Sequence, residues 1–430
     1  MPRPLKIANA SGFWGDQPDA ALRLVTGQPD LDFITFDYLA EVSLSIMAIV
    51  RAKDPGAGYA RDFVDVVRSL CPYWTGGGKA RLVSNAGGLD PEACARACLG
   101  VLREAGLARL KVAVVAGDDV LRSLKSAPKG FENLETGAPL STVSPRLVTA
   151  NAYLGAGAIA DALRAGADIV VTGRVADPSL TVGPCMAHFK WKKADYGRLA
   201  GATVAGHLIE CGTQACGGFS TDWLDLPGNG EIGFPVVEVS ADGSCIVTKP
   251  AGTGGAVTGQ TVKEQLLYEI GDPGRYLSPD VTVSFLTLRV DEAGPDRVRV
   301  SGAGGRAPTD SYKVSATYRD GYKAHGTITV FGHDAVRKAR QAGDGILARL
   351  RTAGFAYREH LVETVLRVSV AADTREPVER FTREIAPLVT CGPQGVTGYA
   401  TGRPSVLPLF GYWPCLVDRS AVRPEFAFVN

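Results

Sequence analysis

His207, Glu210 and Cys211 stand at i, i+3 and i+4, a spacing that brings three side chains onto one face of a helix. An imidazole beside a carboxylate can move protons to and from a substrate, and the three groups together could also ligate a metal. The surrounding stretch, Gly206-His-Leu-Ile-Glu-Cys-Gly212, is not an HExxH arrangement and has no second histidine nearby. No metal is therefore expected there. Two alternatives stay open: an acid–base or substrate contact, and a buried histidine whose hydrogen bonds are satisfied inside the fold.

A second candidate lies at Lys249-Pro-Ala-Gly-Thr-Gly-Gly-Ala-Val-Thr-Gly259. Gly252, Gly254, Gly255 and Gly259 allow backbone turns that a Cβ would forbid. Thr261, three residues before Glu264, reads as a capping box that starts a helix near Thr261 and carries it to about Ile270. Free amides at such a start suit a phosphate or carboxylate, and Lys249 adds a point charge. The alternative is a glycine-rich connection that binds nothing.

Elements must position these groups, and the first half of the chain alternates short apolar runs with helical stretches. Strands are expected at Leu5 to Ala10, Leu31 to Phe36, Ala80 to Ser84, Leu110 to Ala116 and Ala167 to Thr172. Helices are expected at Asp19 to Val25, from Pro91 to about Ala105, at Ala158 to Ala165 and at Leu199 to Leu208. The pattern is that of an α/β domain with a mostly parallel sheet. Each strand ends in a polar or glycine-bearing turn: Asn9/Asp16, Asp37/Glu41, Asn85/Gly87/Gly88, Asp118/Asp119 and Arg174/Asp177. In parallel α/β domains those ends share one rim, where ligands bind. Asp and Asn also serve as helix caps and turn formers, so any one of them alone has a structural explanation.

The pattern changes near residue 230. Phe234 to Val239 and Cys245 to Thr248 flank Asp242-Gly243, a hairpin turn signal, and further strands are expected at 281–290, 297–301, 312–318 and 324–331. A helix at 333–351, a strand at 361–370, a helix at 376–388 and a short extended piece at 406–410 complete the reading. The expected division is a 1–230 α/β domain and a 231–430 α+β domain with antiparallel strands.

Composition bounds the function. Apolar residues make up 45% and charged residues 21% of the 430, as in ordinary soluble proteins. A net charge of +1 argues against nucleic acid as a partner. No apolar run is long enough for a membrane span, and the start lacks the apolar core of a secretory signal. Nine scattered cysteines without a CxxC pair fit buried thiols in a reducing cytoplasm and argue against structural zinc. The first strand is not followed by GxGxxG, the glycine stretch is not GxxxxGK[ST], and GxSxG is absent. An acyl-CoA or a phosphorylated small molecule suits both the glycine stretch and the rim.

Gly58-Tyr-Ala-Arg-Asp62, Ser84-Asn-Ala-Gly-Gly88, Gly173-Arg-Val-Ala-Asp-Pro-Ser179, Gly206 to Gly212, and Gly252 to Glu269 with Tyr276 and Pro279-Asp280 together resemble the acyclic terpene utilisation (AtuA) family. The resemblance covers nearly the whole chain. It implies a role on or beside CoA thioesters in acyclic terpene or branched-chain breakdown, but carries over no catalytic residues. It also implies that the small ferredoxin-like domain of longer members is here a separate subunit.

The expected activity is that of a lyase or hydratase acting by acid–base chemistry on an acyl-CoA or small carboxylate. A non-catalytic acyl-CoA-binding or scaffold subunit is the alternative. Asp37, Asp177, His207 and Glu210 are the expected acid–base groups. Arg174 would orient a carboxylate, Asn85, Gly87 and Gly88 would line the substrate, and Lys249 with the Thr253, Gly254 and Gly255 amides would hold its anionic group. No resident cofactor is expected, CoA entering only as part of the substrate, and self-assembly into a homo-oligomer is expected.

Overall fold

The computed structural model describes residues 3–40, 43–126, 131–319, 375–381, 387 and 390. Five parallel strands, β1 (Leu5–Asn9), β2 (Phe33–Phe36), β3 (Arg81–Ser84), β4 (Val112–Val115) and β6 (Ile169–Thr172), lie in the order β1-β2-β3-β6-β4. β5 (Leu147–Ala152), which is not among the strands expected from sequence, instead pairs antiparallel with β14 (Val314–Tyr318) in a separate two-stranded sheet.

Strand alternation sorts the apolar side chains into two cores. Ile7, Phe33, Val83 and Val170 join one core, with α6 (Gly157–Arg164), α7 (Ser179–Phe189) and α8 (Tyr196–Glu210). Ala8, Ile34, Leu82 and Ile169 join the other, with α1 (Ala20–Gly27), α3 (Asp62–Thr75) and α4 (Pro91–Glu104). Both faces are covered, so these strands read as continuous apolar runs. Asp90 caps α4 by accepting from the Ala93 amide, with Pro91 in the first turn, where its missing N–H costs nothing. Two short helices, α2 (Ser43–Arg51) and α5 (Leu121–Ser126), follow the ends of β2 and β4.

Helix α8 differs from the others. Every residue from Leu199 to Glu210 is buried, so it has no solvent face to make it amphipathic. It packs against α7, α9 (Gly259–Leu267), β7 (Val236–Val239), β8 (Cys245–Thr248) and β13 (Gly304–Arg306). Its carboxyl end is thereby delivered to the end of β1, where Asn9 Nδ2 donates to the Glu210 carbonyl at 3.1 Å.

The pairing direction changes after residue 230, but the sheet does not stop. β7 pairs antiparallel with β1, Ile7 opposite Val237, while β1 pairs parallel with β2 on its other side. β8, β12 (Arg297–Ser301) and β11 (Arg289–Gly294) extend the sheet to nine strands. The β7–β8 hairpin turns at Asp242-Gly243 as the sequence predicts, with Gly243 at φ +93. β9 (Tyr276–Leu277), β10 (Thr282–Ser284) and β13 form a separate three-stranded antiparallel sheet. The fold class is therefore α/β with a parallel portion followed by antiparallel strands. Residue 230 lies between β6 and β7, two strands of this one sheet.

The compact units are Met1–Ala324 with Ala386–Tyr399, and His325–Ile385 with Ala400–Asn430. In the second unit the described element is α10 (Arg375–Phe381). The expected elements at 324–331, 333–351, 361–370 and 406–410, and the end of the 376–388 helix, lie outside the described residues, as does Glu41.

Candidate acid–base site at the carboxyl rim

The ends of the parallel strands do gather polar side chains into a connected network. Asp37 follows β2 directly and Asn85 follows β3. Asn85 Nδ2 donates to Asp37 Oδ1 at 2.6 Å, while Asn85 Oδ1 accepts from the Tyr38 amide at 2.6 Å. These two contacts fix the orientation of the amide, since one needs a donor and the other an acceptor. Among the described residues Asp37 Oδ2 has no hydrogen-bond partner. Burial pushes the Asp37 carboxyl up to about 7, against the pull of Arg174 and Asn85 and with a further push from Glu210.

Arg174, just past β6, is 1% exposed. Its Nε donates to the Val175 carbonyl at 2.8 Å, Nη1 to the Leu39 carbonyl and Nη2 to Asp177 Oδ1. The guanidinium lies 4.5 Å from the centre of the Tyr153 ring, a cation–π contact strengthened by exclusion of water. The Arg174 amide donates to Asp118 Oδ2 at 2.9 Å, and Asn151 Nδ2 donates to the same oxygen at 2.8 Å. Gly173 is required here, because a Cβ would lie 2.4 Å from Asp118 Oδ1. Burial raises the Asp118 carboxyl as well.

A cleft of about 460 Å³ opens over this part of the rim, lined among others by Arg51, Gly88, Asp118, Asp119 and Asn151. Gly88 lines it at φ +51. Gly87 instead packs against the Thr172 carbonyl and Pro91, holding the turn after β3 on its neighbours.

His207 and Glu210 meet as their spacing on α8 predicts, with Nδ1 3.0 Å from Oε1. His207 Nε2 lies 2.8 Å from the Gln265 carbonyl, and Gln265 Nε2 donates back to the His207 carbonyl at 2.8 Å. A carbonyl can only accept, so Nε2 carries a hydrogen. The Nδ1–Oε1 contact then holds one more proton, on the imidazole or on the carboxyl. Burial alone would lower the His207 pKa, but the Glu210 contact, its charge and the Gln265 carbonyl together raise it. Glu210 Oε2 is buried without a hydrogen-bond partner among the described residues. Burial and the Glu210 charge hold the Cys211 thiol well above the ordinary range.

The glycine stretch departs from expectation. Helix α9 starts at Gly259, two residues early, capped by Thr258 in a reciprocal box with Thr261, and ends at Leu267. Its neighbouring amides are already engaged: Gly254 N bonds the Glu231 carbonyl at 2.8 Å and Gly255 N the Pro227 carbonyl at 2.7 Å. Thr253 N faces the Pro250 carbonyl at 3.4 Å. Carboxylates of the chain itself sit at the helix start, Glu292 on the Gly259 amide at 2.6 Å and Asp296 on the Val257 amide at 2.9 Å. Lys249 Nζ donates to the Thr253 carbonyl at 2.8 Å and pairs with Asp296 at 3.1 Å. Four residues expected to grip an anion are thus engaged within the chain, Thr253 and Lys249 by the loop's own carbonyls and Gly254 and Gly255 by the 227–231 segment. Among the described residues no hydrogen bond or ion pair links Gly252–Gly255 to Arg174.

Tyr153, Asn151 and Gln265 are site residues that the sequence reading missed. Tyr153 and Asn151 lie in or beside β5, whose Leu-Val-Thr-Ala-Asn-Ala stretch shows no apolar run. Nothing local marks Gln265, whose role comes from packing across to α8.

Fold and site together define an α/β protein with a buried carboxyl, arginine and histidine network at the carboxyl ends of its parallel strands. The chain belongs to the acyclic terpene utilisation family: the family described as "Acyclic terpene utilisation family protein AtuA" matches residues 5–428. No curated protein and no solved structure matches the chain.

Proposed function

We propose that this protein is an enzyme of acyclic terpene or branched-chain catabolism, a lyase or hydratase that moves a proton next to the carbonyl of an acyl-CoA or small carboxylate. The observation that carries this reading is Asp37, a buried rim carboxyl pushed up to about 7, with one oxygen on Asn85 and the other without a hydrogen-bond partner among the described residues. A base poised near neutrality both accepts and returns a proton at working pH. In this reading Asp37 removes the proton, and the His207–Glu210 pair holds charge beside it. Arg174 receives a substrate carboxylate in place of Asp177, whose side chain is 33% exposed and so the more readily displaced partner. The cleft of about 460 Å³ beside Asp118 and Asn151, which Asp37 and Arg174 do not line, has the size of a small-molecule site. The protein would work as a cytoplasmic homo-oligomer, with a small ferredoxin-like subunit as companion.

One observation favours a second reading, a non-catalytic acyl-CoA-binding or scaffold subunit. Arg174 and the glycine-stretch amides are engaged inside the chain, as in a structural core. Incubation in deuterated water with a panel of branched acyl-CoA thioesters and carboxylates, read by mass spectrometry, separates the two. The enzyme reading expects deuterium at the carbon next to the carbonyl, and its loss in Asp37→Asn. Thermal stabilisation by a thioester with neither deuterium nor product would leave the binding subunit standing.

A further inference from the structure

Away from the rim, a groove of about 710 Å³ runs between α6 and the segment joining α7 to α8. Its walls combine apolar surface from Met186, Ala187 and Trp191 with Lys190, Lys192 and Lys193. Trp191 is 3% exposed and stacks on Phe189 with ring centres 5.0 Å apart, which makes that wall firm.

Arg164 fastens the groove rather than serving it. Its Nη2 donates to the Met186 carbonyl at 2.8 Å and the Trp191 carbonyl at 3.2 Å, and Nη1 pairs with Asp161 at 3.0 Å. The lysines differ. Among the described residues none of their ammonium groups has a hydrogen bond or an ion pair closer than 4 Å. Lys190 ends α7 at φ +57, a conformation that glycine adopts more easily. Three positive charges within four residues repel one another, Lys193 being partly offset by the Asp280 charge, and an anion in the groove relieves that repulsion. At the start of α6 the Ala156 amide is already taken by both oxygens of Asp280, at 2.8 and 3.0 Å.

We propose that this groove binds a phosphorylated small molecule, its diphosphate held by Lys190, Lys192 and Lys193 and the rest of the molecule lying along the wall at Ala187. A concave, partly apolar cavity of this volume suits a small ligand. A nucleic acid or an anionic membrane calls for a broad basic face, which a chain of net charge +1 whose groove lysines fall within four residues does not offer. The inference is independent of the Asp37 reading.

Calorimetric titration of the full-length protein with inorganic pyrophosphate tests it, with sulfate at matched ionic strength as control. The expected result is saturable pyrophosphate binding that weakens about tenfold or more in the Lys190→Ala/Lys192→Ala/Lys193→Ala variant, and also in high salt. The variant should melt at the wild-type temperature without ligand, since its lysines are exposed, and Arg174→Lys should keep full pyrophosphate affinity. No pyrophosphate binding, equal binding by the triple variant, equal binding of sulfate, or capture by phosphatidylserine vesicles in place of pyrophosphate would each overturn the proposal.

Discussion

His207 Nδ1 lies 3.0 Å from Glu210 Oε1 inside a helix end from which solvent is excluded, and its other ring nitrogen is spent on the Gln265 carbonyl. The pair therefore shares one proton that neither member can give to water without rearrangement. Its state is linked to folding, because in the unfolded chain each group titrates alone.

The first prediction follows from that link. The His207 pKa is raised above its ordinary 6.5, so the stabilisation it gives is complete below 6.5 and fades as pH rises through the higher folded value. Glu210→Gln keeps the size of the side chain, and its amide can donate to a neutral imidazole. The variant should lose this part of the pH dependence. Thermal melts of both proteins from pH 6 upward check it; parallel curves would rule out the shared proton.

Asp37 and Asp16 act in the same sense at lower pH. Burial raises them from an ordinary 3.8 to about 7 and about 6. Between 3.8 and those values the folded chain binds more protons than the unfolded one, so stability declines as pH rises across that window. Asp37→Asn should flatten the upper part of the decline while abolishing any rim-dependent turnover. Urea midpoints at a series of pH values measure it. A wild-type protein that gains stability steadily from pH 4 to pH 7 would contradict the burial of both groups.

Arg174→Lys should destabilise the fold by about 3 kcal/mol, because a buried charge then loses its fixed fork and its stack on Tyr153. Equilibrium urea unfolding reads the loss. A change under about 0.5 kcal/mol, the size usual for surface substitutions, would mean that the guanidinium is not packed as described.

Gly173→Ala should cost about 1–3 kcal/mol, since the new methyl displaces the Asp118 carboxyl that orders both Arg174 and Asn151. The cost should shrink in an Asp118→Ala background, where the obstructing oxygens are gone. Equal penalties in the two backgrounds would place the strain elsewhere.

Lys249→Met should cost about 1–2 kcal/mol through the donor lost to the Thr253 carbonyl. It should leave anion affinity unchanged, because the ammonium is already engaged by Asp296. A fall in the affinity of any acyl-CoA would restore this lysine to the ligand site.

Much of the scaffold was readable from residues alone for a definite reason. Strands covered on both faces must be apolar throughout, and the turns after them must be polar, so β1, β2, β3 and β6 and their rim stood out. The His207–Glu210 contact was equally local, a consequence of helical spacing. The fate of the glycine stretch was not. Its amides are claimed by carbonyls at Cys216, Pro227 and Glu231, and its helix start by Glu292 on β11. Thr258 and Thr261 are both plausible caps by type, and only those distant partners select between them. Strand β5 escaped because its small polar residues carry no apolar period.

The placement of β1 bears on how the chain is made. One side of β1 pairs with β2, available early in synthesis. The other waits for β7, with Ile7 and Val237 separated by about 230 residues. Until β7 emerges from the ribosome, one edge of β1, in the middle of the future sheet, is left bare. A nascent chain halted before residue 236 should engage folding helpers and resist proteolysis poorly, and release of a few more residues should protect it at once.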